Sequence, residues 1–131
     1  MGLGRVLVVD DEKDARKSLR MMLTRGGYDV VEAEDGGEAI AAIKSGDNAL
    51  RVDIIILDLY MPKVNGMEAL AYFRSQFPSV PVIVLTGKPE LLNAGMWKMG
   101  QGGVDFLIKP VQPEQVMTAI HKAARQRSLK Q

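Results

Sequence analysis

Residues 6–12 read VLVVDDE, an unbroken apolar run that stops at Asp10, Asp11 and Glu12. Apolar residues without polar alternation are typical of a strand that is covered on both faces, as in a parallel sheet. The acids therefore come directly after a strand that is expected to be buried. Two features need a physical reason: the cover on both faces, and the carboxylates at the end of the strand.

Four further aliphatic or β-branched runs of strand length follow the first. The five runs occupy residues 6–9, 30–33, 54–57, 82–85 and 104–108. Segments with helical spacing of apolar residues lie at 15–23, 39–43, 67–73 and 89–99 and from Pro113 onward. Five alternations of strand and helix with short connections predict an α/β fold, a doubly wound parallel sheet with helices on both faces.

The composition is that of an ordinary globular domain, with 47% apolar and 25% charged residues in a chain of 131. We expect residues 1–131 to form a single domain. No apolar run approaches the roughly 20 residues that a membrane span needs, and the first residues lack a signal-type apolar region. The absence of cysteine excludes disulfides and thiolate metal ligands. These features predict a cytoplasmic protein without a membrane partner.

The net charge of +1 provides no general attraction to nucleic acid or to anionic lipid. Positive charge is concentrated in residues 122–131, which contain four basic residues and no acid. We expect this segment to be a basic helix end, where cations complement the helix dipole, or the start of a linker. A nucleic-acid-binding tail is the alternative, and direct binding of nucleic acid by this domain is not expected.

Polar residues follow several of the predicted strands. Ligands of doubly wound sheets bind outside the carboxyl ends of the strands. The residues at these ends are Asp10 and Asp11 after the first strand, Asp58 after the third, Thr86 after the fourth and Lys109 after the fifth. Each one alone could be a turn residue, a helix N-cap or a solvated side chain. Together they predict one site, because independent turn residues have no reason to collect such groups at one edge.

Converging carboxylates repel each other, by roughly 4 kcal/mol per pair at about 4 Å and an effective dielectric constant near 20. A bound cation would offset this repulsion, and oxygen ligands favour a hard ion such as Mg²⁺. His121 is the only histidine and lies on the last predicted helix, so no softer metal site competes. A dinucleotide site fits poorly, because its glycines should follow the first strand, whereas Gly2 and Gly4 precede it.

Four stretches resemble the receiver domains of bacterial two-component response regulators, the CheY-like fold. They are VLVVDDE at 6–12, IIILDLYMP at 54–62 with Gly66 after it, VIVLTG at 82–87 and DFLIKP at 105–110. The resemblance covers almost the whole chain in the expected order. It implies a flavodoxin-like sheet of strand order 2-1-3-4-5 with five helices.

The resemblance also implies a function in phosphorelay signal transduction. Asp58 would accept a phosphoryl group from a phosphohistidine of a sensor histidine kinase or a phosphotransfer protein. Asp10, Asp11, Asp58 and the main-chain carbonyl of Tyr60 would hold Mg²⁺, with Asp10 acting through water. Lys109 would pair with the phosphoryl oxygens, and the Lys109–Pro110 peptide bond would be cis.

The implied switch consists of Thr86, which would hydrogen-bond the phosphoryl group, and Phe106, which would fill the space that Thr86 leaves. Phe106 could equally be an ordinary core residue. The implied output surface, and a possible homodimer contact, consists of the segment 89–99, the strand 104–108 and the helix from Pro113. Met96, Trp97 and Met99 either pack inward or contribute to that surface.

Two features differ from the family pattern or adjoin the site. The link at residues 99–104 is about one residue longer than usual, and Tyr60 and Lys88 border the site, where they should affect the rate of hydrolysis.

Two other functions remain open at the level of sequence. An aspartyl-phosphate hydrolase would need a second acid two positions after Asp58, where Tyr60 stands. A receiver-like domain that binds partners without phosphorylation is the other alternative. The expected protein is not a dedicated enzyme, although it assists its own phosphorylation and dephosphorylation.

Overall fold

The structure is a computed structural model, and it describes residues 3–59, 66–87 and 104–130, with side chains described as far as Arg125. Five strands form one sheet: β1 (Gly4–Val9), β2 (Tyr28–Ala33), β3 (Val52–Asp58), β4 (Val82–Thr86) and β5 (Val104–Ile108). All neighbouring strands are parallel, in the order β2-β1-β3-β4-β5. The predicted doubly wound sheet and its strand order are confirmed.

Within the described residues the helices are α1 (Lys13–Arg25), α2 (Gly36–Lys44), α3 (Asn48–Arg51), α4 (Gly66–Gln76) and α5 (Pro113–Lys130). Four of them correspond to predicted segments, and the predicted helix at 89–99 lies outside the described residues. The single turn of α3 was not predicted. None of the described helices is long and apolar enough to cross a membrane.

The sheet is buried on both faces because its central strands alternate buried side chains between two helical layers. We call these the α2–α4 layer and the α1–α5 layer. The first contains Leu7, Val9, Ile55, Leu57, Val82 and Val84 from the sheet, packed with Ala39, Ile43, Ala69, Leu70 and Phe73. The second contains Val6, Val8, Ile54, Ile56, Ile83 and Leu85, packed with Leu23, Val116, Ile120 and Ala123. The unbroken apolar runs in the sequence thus reflect two cores that share one sheet.

Two glycines have conformational reasons for their positions. Gly27 follows α1 with a φ of 96°, a left-handed conformation that ends helices and that side chains disfavour. Gly66 begins α4, and a Cβ atom there would lie 2.6 Å from the Cα atom of Leu59. The start of α4 therefore approaches the backbone directly after β3 too closely for any side chain.

Helix α5 continues to Lys130, so the basic residues of 122–130 lie on its last turns. The expectation that residues 122–131 are a basic helix end or the start of a linker stays a prediction. The expectation of a single domain spanning 1–131 stays a prediction.

Candidate functional site

The predicted acids, Thr86 and Lys109 lie at the carboxyl edge of the sheet because parallel strands bring their ends to one side. The register pairs Val9 with Leu57, Asp58 with Leu85, and Thr86 with Ile108. Backbone hydrogen bonds continue past the strand ends, from the N–H groups of Asp10, Leu59 and Lys109 to the carbonyls of Ala33 (3.1 Å), Leu85 (3.2 Å) and Thr86 (2.8 Å). These bonds fix the backbone from which the polar side chains extend.

Three carboxylates converge at this edge. One oxygen from each of Asp10, Asp11 and Asp58 can be chosen so that all three lie within 4.8 Å of one another. Asp10 and Asp58 are each only 2% exposed, whereas Asp11 is exposed. The cluster is therefore open to ions from the side of Asp11.

The backbone around Asp10 holds its carboxylate in place and burial changes its acidity. The N–H group of Glu12 donates to Oδ1 of Asp10 at 2.9 Å. The pKa of Asp10 is raised to about 6, mainly by burial and also by the nearby charges of Asp58 and Asp11, while the hydrogen bond from Glu12 and the charge of Lys109 act in the opposite direction. The metal-free cluster is thus an unfavourable environment for a third negative charge.

Lys109 places a positive charge beside Asp58, the acid at the end of β3. Its Nζ atom donates to Oδ2 of Asp58 at 2.6 Å, and the peptide bond between Lys109 and Pro110 is cis, as predicted. Burial lowers the pKa of Lys109, but the hydrogen bond and charge of Asp58, with smaller contributions from Asp10 and Glu12, more than offset this effect, so the pKa is raised. Lys109 therefore stays protonated and faces a buried carboxylate.

The chemistry of these donors fits a hard divalent cation. The cluster offers carboxylate oxygens alone, and one of the three acids is exposed, which leaves room for the water ligands that Mg²⁺ retains. A divalent ion would also offset the repulsion among the three carboxylates. Asp10, Asp11 and Asp58 are the described residues that could hold it.

Thr86 and Phe106 lie on neighbouring strands beside the cluster. Thr86 is fully buried at the end of β4. Phe106 is partly buried on β5, where it packs against the α2–α4 layer, and its register partner on β4 is Val84. This position suits both an ordinary core residue and a side chain that moves with Thr86.

Several predicted contributors fall outside the described residues. They are Tyr60, Lys88, Met96, Trp97 and Met99, together with most of the link at 99–104. Their expected contributions to metal binding, hydrolysis and the output surface stay predictions.

Sequence reasoning missed one residue that contacts the site. Nη1 of Arg16, on α1, donates to the main-chain carbonyl of Asp10 at 2.9 Å, and its Nε donates to Glu32 of β2 at 3.2 Å. The available signal was a basic residue on the second turn after the acids. Only the three-dimensional path of its side chain distinguishes it from the other basic residues of α1.

The fold and the edge together define a doubly wound α/β domain with a charge cluster at its carboxyl edge, which is the CheY-like class. The family model for the response regulator receiver domain matches residues 6–121. The chain belongs to the response regulator receiver domain family. Phosphorelay signal transduction in two-component systems is the role of this family, and the predicted function is confirmed at that level.

Individual relatives agree with this assignment. The chain is 35% identical over 121 residues to the response regulator MprA of Mycolicibacterium vanbaalenii, an alignment that covers 92% of the chain and 50% of MprA. It spans about half the length of the curated relatives it matches.

Two solved structures give the same picture. A receiver domain from Clostridium thermocellum superposes with a TM-score of 0.87 at 29% identity, covering 98% of this chain and all (100%) of that one. The response regulator TrrA of Thermotoga maritima, solved in complex with Mg²⁺ and BeF, has a TM-score of 0.78 at 27% identity and covers 92% of this chain and 99% of its own.

Proposed function

We propose that Asp58 is the phosphoryl acceptor of this receiver domain and that the phosphoryl group comes from a phosphohistidine of a sensor histidine kinase or phosphotransfer protein. The observation that carries the proposal is the environment of Asp58. Its carboxylate is buried at the end of β3, 2.6 Å from the Lys109 ammonium and beside two further acids. Phosphoryl transfer depends mainly on positioning and on offsetting charge, and these neighbours can provide both.

In the proposed reaction a carboxylate oxygen of Asp58 forms a bond to phosphorus as the bond from phosphorus to the donor's imidazole nitrogen breaks. The electron pair of the broken bond remains on that nitrogen, which leaves as the imidazole. Lys109 offsets negative charge on the phosphoryl oxygens. Water later attacks phosphorus and restores the carboxylate, so the domain assists its own phosphorylation and dephosphorylation without being a dedicated enzyme.

Asp10, Asp11 and Asp58 are proposed to hold Mg²⁺, with the main-chain carbonyl of Tyr60 as a further ligand. Bound there, Mg²⁺ would supply positive charge in addition to that of Lys109 and would help to orient the phosphoryl oxygens. The bound Mg²⁺ in the complex of TrrA supports the assignment by analogy.

The proposed switch follows from the added charge. An acyl phosphate adds close to two negative charges at Asp58, and the hydroxyl of Thr86, at the adjacent strand end, is then attracted toward it. Phe106 lies on the next strand and would occupy the space released. The output surface is proposed to include β5 and α5 and to bind a partner protein or a second copy of the domain. The protein is proposed to act in the cytoplasm.

The test is labelling with a small phosphodonor, acetyl phosphate carrying ³²P, with Mg²⁺ or with EDTA. We expect one label per chain that is stable to acid and labile to hydroxylamine, and none in EDTA. Asp58→Asn should abolish the label, because the amide cannot form the acyl phosphate. Asp29→Asn is the matched control, since Asp29 is exposed on β2 away from this edge, and it should label like the wild type.

Three outcomes would contradict the proposal. Equal labelling of Asp58→Asn and the wild type would place the acceptor elsewhere. No labelling of the wild type, with partner binding unchanged by phosphodonor, would favour a domain that acts without phosphorylation. Continued release of phosphate over many cycles per site from a phosphomonoester would favour a hydrolase.

A further inference from the structure

The guanidinium of Arg16 connects the loop that carries two of the acids to the edge strand β2. Its Nη1 donates to the carbonyl oxygen of Asp10 at 2.9 Å, and its Nε donates to Oε1 of Glu32 at 3.2 Å. The Arg16 side chain is only 15% exposed. A shielded guanidinium with two separate acceptors is held in one orientation, since its donors form a rigid fork.

The backbone of Arg16 contributes a second contact to the same loop. Its N–H group donates to the carbonyl of Glu12 at 3.0 Å. This is the first i→i−4 bond of α1, which any residue but proline at position 16 would make, so the side-chain bond to the carbonyl of Asp10 is the contact with this loop that depends on the arginine. Asp11 is the exposed acid of the cluster, so the surrounding core does not fix its position and the backbone on either side has to do so.

Glu32 anchors the arginine to the sheet. It lies opposite Val8 in the β1–β2 register, and Val8 is two residues before Asp10 in the chain. Its second carboxylate oxygen accepts from Nη1 of Arg20 at 3.1 Å. Arg20 is 61% exposed in its side chain, and its described contact with this network is the one to Glu32. Arg16 and Arg20 thus both bind Glu32, and Arg16 also binds the main-chain carbonyl of Asp10.

We propose that Arg16 is a positioning residue for the metal site, which bridges the Asp10 carbonyl to Glu32 and thereby fixes the loop that presents Asp11. This inference rests on the proposed function in one respect: Asp10 and Asp11 are taken to be the metal ligands. Residues that orient the ligands of a metal commonly change its affinity by 10–100-fold when they are replaced. The expected effect of Arg16 is therefore on affinity for the ion, beyond any effect on folding.

The experiment measures the dissociation constant for Mg²⁺ alone by isothermal titration calorimetry, in the wild type and in three variants. Arg16→Ala removes both side-chain contacts, and Arg16→Lys keeps the charge but cannot reach both acceptors with one ammonium. Both should bind Mg²⁺ more weakly, on the order of tenfold for Arg16→Ala. Arg20→Ala is the matched control, one turn along the same helix, and should stay within about twofold of the wild type.

A double-variant comparison tests the bridge itself. If Glu32 acts through Arg16, then Glu32→Ala weakens Mg²⁺ binding, and adding Glu32→Ala to Arg16→Ala weakens it no further. Additive losses would mean that Glu32 affects the site by another route, and would overturn the bridge.

Urea unfolding of the same proteins in EDTA separates positioning from stability. If the Arg16→Ala variant unfolds more easily but keeps the wild-type dissociation constant for Mg²⁺, the role of Arg16 is purely structural and the inference is wrong. Arg16→Lys with wild-type affinity would show that charge alone suffices, and would also overturn the inference. If Arg16→Ala fails to fold, Arg16→Lys carries the test.

Absence of Mg²⁺ uptake by the wild type would count against the proposed function, whereas equal uptake by the wild type and Arg16→Ala would count against this inference alone.

Discussion

Asp10 is a buried acid next to other acids, and its negative charge lowers the stability of the folded protein when no metal ion is bound. Its pKa is about 6 in the folded chain against an ordinary value of 3.8. A carboxyl group with a raised pKa holds its proton more tightly when folded, so the folded state loses stability relative to the unfolded one as pH rises from about 4 to above 6. The site is therefore a local weakness at neutral pH that a bound cation can offset.

Replacing Asp10 with Asn should stabilise the metal-free protein at pH 7.5, because the amide carries no charge and its oxygen can still accept from the N–H group of Glu12. The expected gain in free energy of unfolding is roughly 1–3 kcal/mol at pH 7.5, and it should be about a third as large at pH 4.5, where Asp10 is protonated in the folded wild type but still mostly ionised in the unfolded chain. Urea unfolding in EDTA at the two pH values measures the difference.

The same variant should lose most of the stabilisation that Mg²⁺ provides to the wild type, because stabilisation by a ligand follows its affinity. Asp29→Asn, which removes an exposed charge of the same kind, serves as the control. Equal changes for Asp10→Asn at both pH values would show that charge in the cluster is not the cause.

The sequence predicted the convergence of Asp10, Asp11, Asp58 and Lys109, and the structure brings them together. This was possible because topology determines where the carboxyl ends of parallel strands lie, so a residue's place at a strand end fixes its neighbours. Arg16 could not be found in the same way. Its contacts depend on the rotamers of a long side chain and on an acid in a different strand, neither of which follows from hydrophobic periodicity.

At the scale of elements, the β3–α4 connection determines how closely a helix approaches the site. The Cβ atom of an alanine at position 66 would lie 2.6 Å from the Cα and 2.7 Å from the carbonyl oxygen of Leu59. Both contacts are with backbone atoms, which cannot move aside as a flexible side chain can. Leu59 directly follows Asp58, so a shift there affects the proposed acceptor.

Gly66→Ala should therefore lower the free energy of unfolding by about 1–3 kcal/mol, as overpacking does, and should slow labelling by the phosphodonor. Gly87→Ala is the control for stability, because no atom of the described residues lies within 4 Å of its added Cβ atom, and it should change the free energy of unfolding by less than about 0.5 kcal/mol. Equal effects of the two substitutions would indicate loss of glycine flexibility and not a backbone clash. Urea unfolding compares them.

The elements themselves were predicted with uneven accuracy. The strand at 104–108 has the predicted bounds, whereas β3 begins at Val52, two residues before the predicted start. The register explains the difference, since Val52 pairs with Arg5 although a polar residue, Asp53, interrupts the apolar run. Asp53 is tolerated in the strand because its Oδ2 accepts the N–H group of Arg5 at 3.0 Å.

The one-turn helix α3 was missed in part because two of its side-chain contacts come from a distant strand. Nη1 of Arg5, on β1, donates to the side chains of Asp47 (2.8 Å) and Asn48 (2.9 Å). A four-residue segment such as this has no apolar period to recognise, and the partner that fixes it is more than 40 residues away in sequence.

At the scale of the whole molecule, the two helical layers share every strand of the sheet's centre. Phe73 in the α2–α4 layer and Ile120 in the α1–α5 layer are both fully buried, yet they belong to separate clusters. Neither layer can lose its packing without exposing one face of strands that the other layer needs. The described sheet and helices should therefore unfold as one cooperative unit.

Ile120→Val and Phe73→Leu test this cooperativity from opposite faces of the sheet. Each should lower the free energy of unfolding by about 1 kcal/mol through lost packing, and the double variant should lose the sum within about 0.5 kcal/mol, because the two residues share no cluster. Urea unfolding followed by far-ultraviolet circular dichroism should show the same dependence of the free energy on urea in all three variants as in the wild type.

Leu50→Ala replaces a residue that is 85% exposed; it is the control and should change the free energy of unfolding by less than about 0.5 kcal/mol. A two-step transition in either variant would mean that one helical layer can separate from the sheet while the other stays folded, and a phosphoryl group at the shared strand edge could then not influence both faces together.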